Sequence, residues 1–168
     1  MSREAPQERV DKHAALRTVH LLREFTEVGI RILADASRQR SVGRDTYAFR
    51  GGDPSEALFF VAKGTLQLLP REGGQPLGEV TAGDTLGGFS LLVDGGEHLL
   101  SAIATSDVEL LELQHGAFEE LKRSHPRTAL KLTVALAQDL AERMREAKGP
   151  LREFLVWQVS KRQSSEGR

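Results

Sequence analysis

From about residue 12 to residue 36 the apolar positions recur every three or four residues, which is helical spacing. Leu16, Val19, His20, Leu22 and Phe25 fall on one face, and Ile30, Leu33 and Ala34 on a second after Thr26-Glu27-Val28-Gly29. Thr26 is placed to cap the second helix, because its hydroxyl can accept from an unpaired N–H of the first turn. Between Arg38 and Leu113 the pattern shortens. Apolar runs are broken by glycine-bearing turns such as SVGRD, FRGGDPSE, AKGTL, REGGQPLGEV, TAGDTLGG and VDGGEH. The runs Ala57–Val61, Thr65–Leu69, Ser101–Thr105 and Val108–Leu113 read as strands. Many short strands with regular turn signals predict a β-barrel or jelly-roll sandwich.

Helical spacing returns after Gly116. AFEELKRSHP predicts a short helix stopped near Pro126, and RTALKLTVALAQDLAERMREAKG predicts a long one ending at Gly149-Pro150. The long helix carries two apolar strips. Leu130, Val134, Ala137, Leu140 and Met144 form one, and Leu132 and Leu136 belong to the other. Two strips require two surfaces. One is the helix's own barrel, and the other is expected to meet a second copy of the chain in a homodimer, paired as in a coiled coil. LREFLVWQV, Leu151 to Val159, reads as a further short helix, and SKRQSSEGR as a solvated tail. The expected organisation is a disordered segment over residues 1–12, one domain over 13–148, and a short helix with tail over 149–168.

The chain has 168 residues, 39% hydrophobic and 28% charged, with a formal net charge of -1. That composition suits one globular domain, and its balance argues against a broad nucleic-acid surface. With no cysteine there is no disulfide framework and no thiolate nucleophile. The polar start MSREAPQERVDKH lacks the apolar run of a signal peptide, and no stretch approaches the roughly 20 apolar residues of a membrane span. A cytoplasmic location, with no membrane partner, is the expectation.

Catalytic chemistry finds little support. A cupin-type metalloenzyme, which shares the barrel architecture, needs two histidines one residue apart and a third farther on. His13, His20, His98, His115 and His125 are scattered, so no metal site and no enzyme are expected. Asp53 and Asp84 each follow a glycine and read as turn residues.

The order helices, short-strand barrel, long helix now meets particular residues. GGDPSEALFFVAKGTLQL, Gly51 to Leu68, resembles the opening of the cyclic-nucleotide-binding domain family: a Gly-Asp pair, small polar residues, an apolar-aromatic strand and a glycine turn. SDVELLELQHGAFEELKRSHP is similar to that family's exit strand and following helix, and ALAQDLAERMRE to its dimer-forming helix. The resemblance covers about Leu16 to Glu146. It implies an α+β fold: a β roll, the double-stranded β-helix or jelly roll, from about Ser41 to Leu113. N-terminal helices and a helix from about Pro126 to Lys148 flank it.

The resemblance also interprets AGDTLGGFSLLVDGGEHLLSA, Ala82 to Ala102, as the family's phosphate-binding cassette. The family pattern is an apolar residue, Gly, Glu, a short helix, a loop, Arg and a small residue. Helix-start N–H groups hold the cyclic phosphate, the Arg meets its charge, and the Glu accepts from the ribose hydroxyl. Leu86 and Gly87 match the opening pair, and Phe89-Ser90-Leu91-Leu92 the short helix. Gly88 stands where the Glu belongs. His98 stands at the Arg position, next to Leu99. Ser101 falls where one branch of the family has a hydroxyl, and Ala104 matches the strand alanine.

Both charged ligand contacts are therefore missing. A charge-assisted bond to a buried phosphate is worth about 1.5–3 kcal/mol, and the lost hydroxyl contact adds a comparable amount. Each 1.4 kcal/mol is a factor of ten, so cyclic AMP or cyclic GMP is expected to bind a hundredfold to several thousandfold more weakly than in the family. His98 itself is expected to be a solvated loop residue or, if protonated, a weak anion contact in place of the arginine, and Ser101 a strand-end residue.

The resemblance implies a non-catalytic regulatory module acting through protein–protein contacts. The alternatives are a true sensor of a cyclic nucleotide or small anion and, more distantly, the cupin-type enzyme. DNA-binding relatives carry a helix-turn-helix domain of about 70 residues after the long helix. About 19 residues follow Gly149 here, so no DNA contact is expected.

Overall fold

The computed structural model describes residues 9–93, 95–146 and Gly149. Helix α1 (Lys12–Arg17) is capped by Asp11, whose carboxylate accepts from the Ala14 N–H at 3.1 Å. Order thus begins ahead of residue 13, the expected boundary, and residues 1–8 lie outside the described set. A 3₁₀ turn follows over His20–Leu22, then helix α2 (Glu27–Ala36), where Thr26 Oγ1 accepts from the Gly29 N–H as expected.

The single face read across Leu16 to Phe25 is corrected in one residue. Leu16, Val19, Leu22 and Phe25 are buried. His20 points to solvent, its Nδ1 3.5 Å from the Asp84 carboxylate. The reason is local: α1 ends at Arg17 and the 3₁₀ turn has three residues per turn, so the face rotates away from the α-helical spacing.

Among the described residues eight antiparallel strands form the roll: β1 (Arg38–Val42), β2 (Tyr47–Phe49), β3 (Ala57–Lys63), β4 (Thr65–Pro70), β5 (Gly78–Thr81), β6 (Thr85–Leu86), β7 (Leu100–Ala104) and β8 (Val108–Gln114). They make two four-stranded sheets, ordered β1-β8-β3-β6 and β2-β7-β4-β5. Strand alternation explains why β3 is apolar from Ala57 to Ala62. Ala57, Phe59 and Val61 face the inside of the roll with Leu66, Val80, Ala102 and Leu110. Leu58 and Phe60 face the helices, with Leu111 and Leu113 of β8.

Helix α3 (Phe89–Leu92) lies between β6 and β7, and helices α4 (His115–Ser124) and α5 (Pro126–Glu146) complete the fold. Helix α4 starts one residue before Gly116. In α5, Ala129, Leu132 and Leu136 are buried against the helical core, whereas Leu130 is 65% and Val134 47% exposed. Ala137 and Met144 are also exposed. The short helix read over 151–159 lies outside the described residues. Among the described residues no helix is long and apolar enough to cross a membrane.

Candidate functional site

The cassette opens on a turn that only glycine makes without strain. Gly87 has φ of 75° and directs the chain from β6 into α3. A Cβ there would lie 2.6 Å from the Ala57 carbonyl oxygen. The Ser90 N–H and hydroxyl both reach the Gly87 carbonyl, at 2.9 and 2.7 Å, which closes the first turn of α3. Leu91 is buried in the helical core, as its apolar character demands. Leu92, beside it in the same helix, is 38% exposed and borders the cavity described below. One helical turn cannot point two successive residues at the same core.

The second half of the cassette is fastened to the Gly51–Ser55 turn. Gly52 N–H donates to the His98 carbonyl and His98 N–H to the Asp53 carbonyl, both at 2.8 Å. Ser55 N–H donates to the Gly96 carbonyl at 2.8 Å. The Asp53 carboxylate accepts from the Arg50 N–H, and that of Asp84 from the Thr81 N–H, so both are the turn residues expected. The Gly-Asp turn therefore sets the position of His98.

His98 overturns the expectation of a solvated residue. It is 6% exposed, and its ring stacks on Phe49 with centroids 3.8 Å apart and planes 9° apart. Phe49 stacks in turn on Phe59 at 5.5 Å. Imidazole is a flat, half-apolar ring, so an aromatic wall holds it in a way that an exposed loop would not. Burial holds its pKa below the usual 6.5, partly opposed by the Asp53 charge and helped by Arg40. The ring is neutral at pH 7 and supplies no cation.

Ser101 is likewise 7% exposed, and its hydroxyl accepts from the Gly51 N–H at 2.8 Å. It braces the strand and lies outside the cavity lining.

A cavity of about 220 Å³ opens in front of the cassette. Gly87, Gly88, His98 and Leu99 line it, as do Phe49, Ser55, Leu68, Leu86 and Leu100. Its roof is α5, through Leu136, Asp139, Leu140 and Arg143. Leu140 therefore belongs to the cavity and is half-buried, not part of the exposed strip with Leu130 and Val134. A Cβ on Gly88 would lie 3.0 Å from Leu136 Cδ2. Arg143 donates through Nε to Asp139 at 2.7 Å. At the edge of the site, Arg71 donates to Glu97 at 2.9 Å.

The roof residues were not legible as site residues. Leu136 reads only as part of an apolar strip, and Arg143 as one of many helix-surface charges. No group of histidine and carboxylate side chains among the described residues is arranged to hold a metal.

This fold and cassette define a class. The cyclic nucleotide-binding domain model matches residues 39–125, more than half of the chain. The chain belongs to the cyclic nucleotide-binding domain family, whose members are regulatory modules. It is 39% identical over 97 residues to the cyclic AMP receptor protein of Thermus thermophilus, a match covering 56% of this chain and 44% of that protein. The catabolite activator protein of the same organism superposes with a TM-score of 0.62 at 32% identity, over 73% of this chain and 58% of that one. The N-terminal domain of a transcriptional regulator from Streptomyces coelicolor gives 0.68 at 25% identity, over 80% and 98%. The chain thus spans less than half the length of the curated receptor it matches.

Proposed function

We propose that this chain is a non-catalytic regulatory module that binds cyclic nucleotides weakly or not at all and works by protein–protein contact, beginning with a second copy of itself. One observation carries the reading. Where the family places a glutamate and an arginine, this cavity has Gly88, packed under Leu136, and His98, buried and uncharged. A cyclic phosphate brought into it would leave water without meeting a free cation. Burying an unpaired charge is costly. Isothermal calorimetry at pH 7 is expected to give a cyclic AMP or cyclic GMP Kd above about 100 μM, from the two missing contacts. Low-micromolar affinity would overturn this reading in favour of the sensor. That second reading is favoured by the retained α3, whose glycine-started turn still follows the family's cassette.

The homodimer is proposed from the strip on α5 that the fold leaves uncovered. Leu130 and Val134 are more exposed than a monomer's helix surface requires, and pairing of two helices would bury them. The substitutions Leu130→Glu and Val134→Glu, unlike one at Leu140, leave the cavity alone. Together they are expected to convert a dimer to a monomer in light scattering at micromolar concentration. A wild-type chain that is already monomeric there sinks the dimer.

A further inference from the structure

We propose that the cavity takes a small, uncharged aromatic molecule carrying one O–H or N–H donor, with His98 Nε2 as its acceptor. The proposal rests on the reading that the site has lost its cyclic nucleotide, and it names what the altered site recognises instead.

Three observations carry it. The first is the character of the walls. Phe49, Leu86, Leu99, Leu100, Leu136 and Leu140 dominate the lining. Arg143, the basic side chain that reaches the cavity beside His98, is held by Asp139. Such a chamber favours an apolar guest and offers an anion no unpaired charge.

The second is size. A dry cavity of about 150 Å³ accommodates benzene. This one measures about 220 Å³. It has room for a substituted ring or a fused pair of rings. The ring stack of Phe59, Phe49 and His98 gives it an aromatic wall.

The third is where the protons go. The Ser90 hydroxyl has one hydrogen, and two carbonyl oxygens, those of Gly87 at 2.7 Å and Ala57 at 3.1 Å, compete for it. The Ser55–Ser90 hydroxyl contact of 2.5 Å must then use the Ser55 hydrogen. Ser55 Oγ is left as the acceptor toward His98 Nδ1, 3.4 Å away, so the proton of the neutral ring sits on Nδ1. Nε2 is therefore the unprotonated nitrogen, an acceptor, and it has no hydrogen-bond partner among the described residues. A phenolic O–H or an indole-type N–H is the complementary group.

The test compares phenol with anisole, and indole with 1-methylindole, by calorimetry and by amide chemical-shift mapping on the full chain. Each member of a pair has nearly the same shape, and only the first can donate. Phenol and indole are expected to saturate below about 1 mM, 3- to 10-fold tighter than their methylated partners, which is the size of one hydrogen bond. Shifts are expected at Phe49, Gly87 and Leu99. The substitution His98→Phe keeps a ring on Phe49 and removes the acceptor, so it is expected to erase the preference while the methylated probes still bind. Equal affinity within each pair overturns the role of Nε2. Absence of saturable binding by all four overturns the inference and leaves the nucleotide reading standing. Tight cyclic AMP binding that displaces the probes overturns that reading itself.

Discussion

Cyclic AMP affinity is expected to rise about a hundredfold when Gly88→Glu and His98→Arg are introduced together, and by less with either alone. The arginine brings a charge-assisted bond to the phosphate, worth about 1.5–3 kcal/mol, and the glutamate accepts from a ribose hydroxyl for a comparable amount. Two structural costs oppose them. The new Cβ at position 88 meets Leu136 Cδ2 at 3.0 Å, so that side chain must give by a few tenths of an ångström. It is the far end of a flexible side chain, so the cost is small. Arginine at position 98 must give up the stack on Phe49, which His98 makes at 3.8 Å. A guanidinium also stacks on aromatic rings, and this keeps the loss modest. The gain is measured by calorimetry on the folded double variant. If its affinity matches the wild type, the proposed weakness of nucleotide binding does not lie in these two positions.

Gly87→Ala is expected to destabilise the chain by about 2–4 kcal/mol, from the sum of a strained φ and a steric clash. Thermal unfolding should fall by roughly 5–15 °C for a domain of this size. At φ of 75° an alanine is in the left-handed region, and its Cβ would sit 2.6 Å from the Ala57 carbonyl oxygen, a backbone atom that β3 holds in place. The neighbouring Gly88→Ala is the control. Position 88 has no positive φ, and its one close neighbour is the movable end of Leu136. Its cost is expected below about 1 kcal/mol. Equal melting points for the two variants would show that the turn at Gly87 does not need a glycine.

The comparison of Gly87 with Gly88 also shows how a one-dimensional pattern loses information. Both are one letter in a run, and both read as turn glycines. One is required by backbone geometry. The other is permitted by what packs above it.

Local order was written in the sequence wherever short-range physics decides it. Thr26 caps α2 because its hydroxyl lies three residues from a free N–H. The alternation of Ala57, Phe59 and Val61 with Leu58 and Phe60 makes β3 a strand with two apolar faces. The Gly-Asp turn could be read from consecutive residues, because spacing along the chain sets it, whereas the short helix α3 and the missing Glu and Arg came from the resemblance to the family. What the tertiary structure alone decided is what those residues face. His98 becomes a buried neutral ring because Phe49, far from it in sequence, supplies the aromatic surface. Leu136 and Leu140 become a roof because α5 folds back across the roll, which parts two neighbouring apolar strips into a buried face and an exposed one. Burial and protonation state depend on neighbours brought from distant segments, and periodicity along a chain carries no record of them.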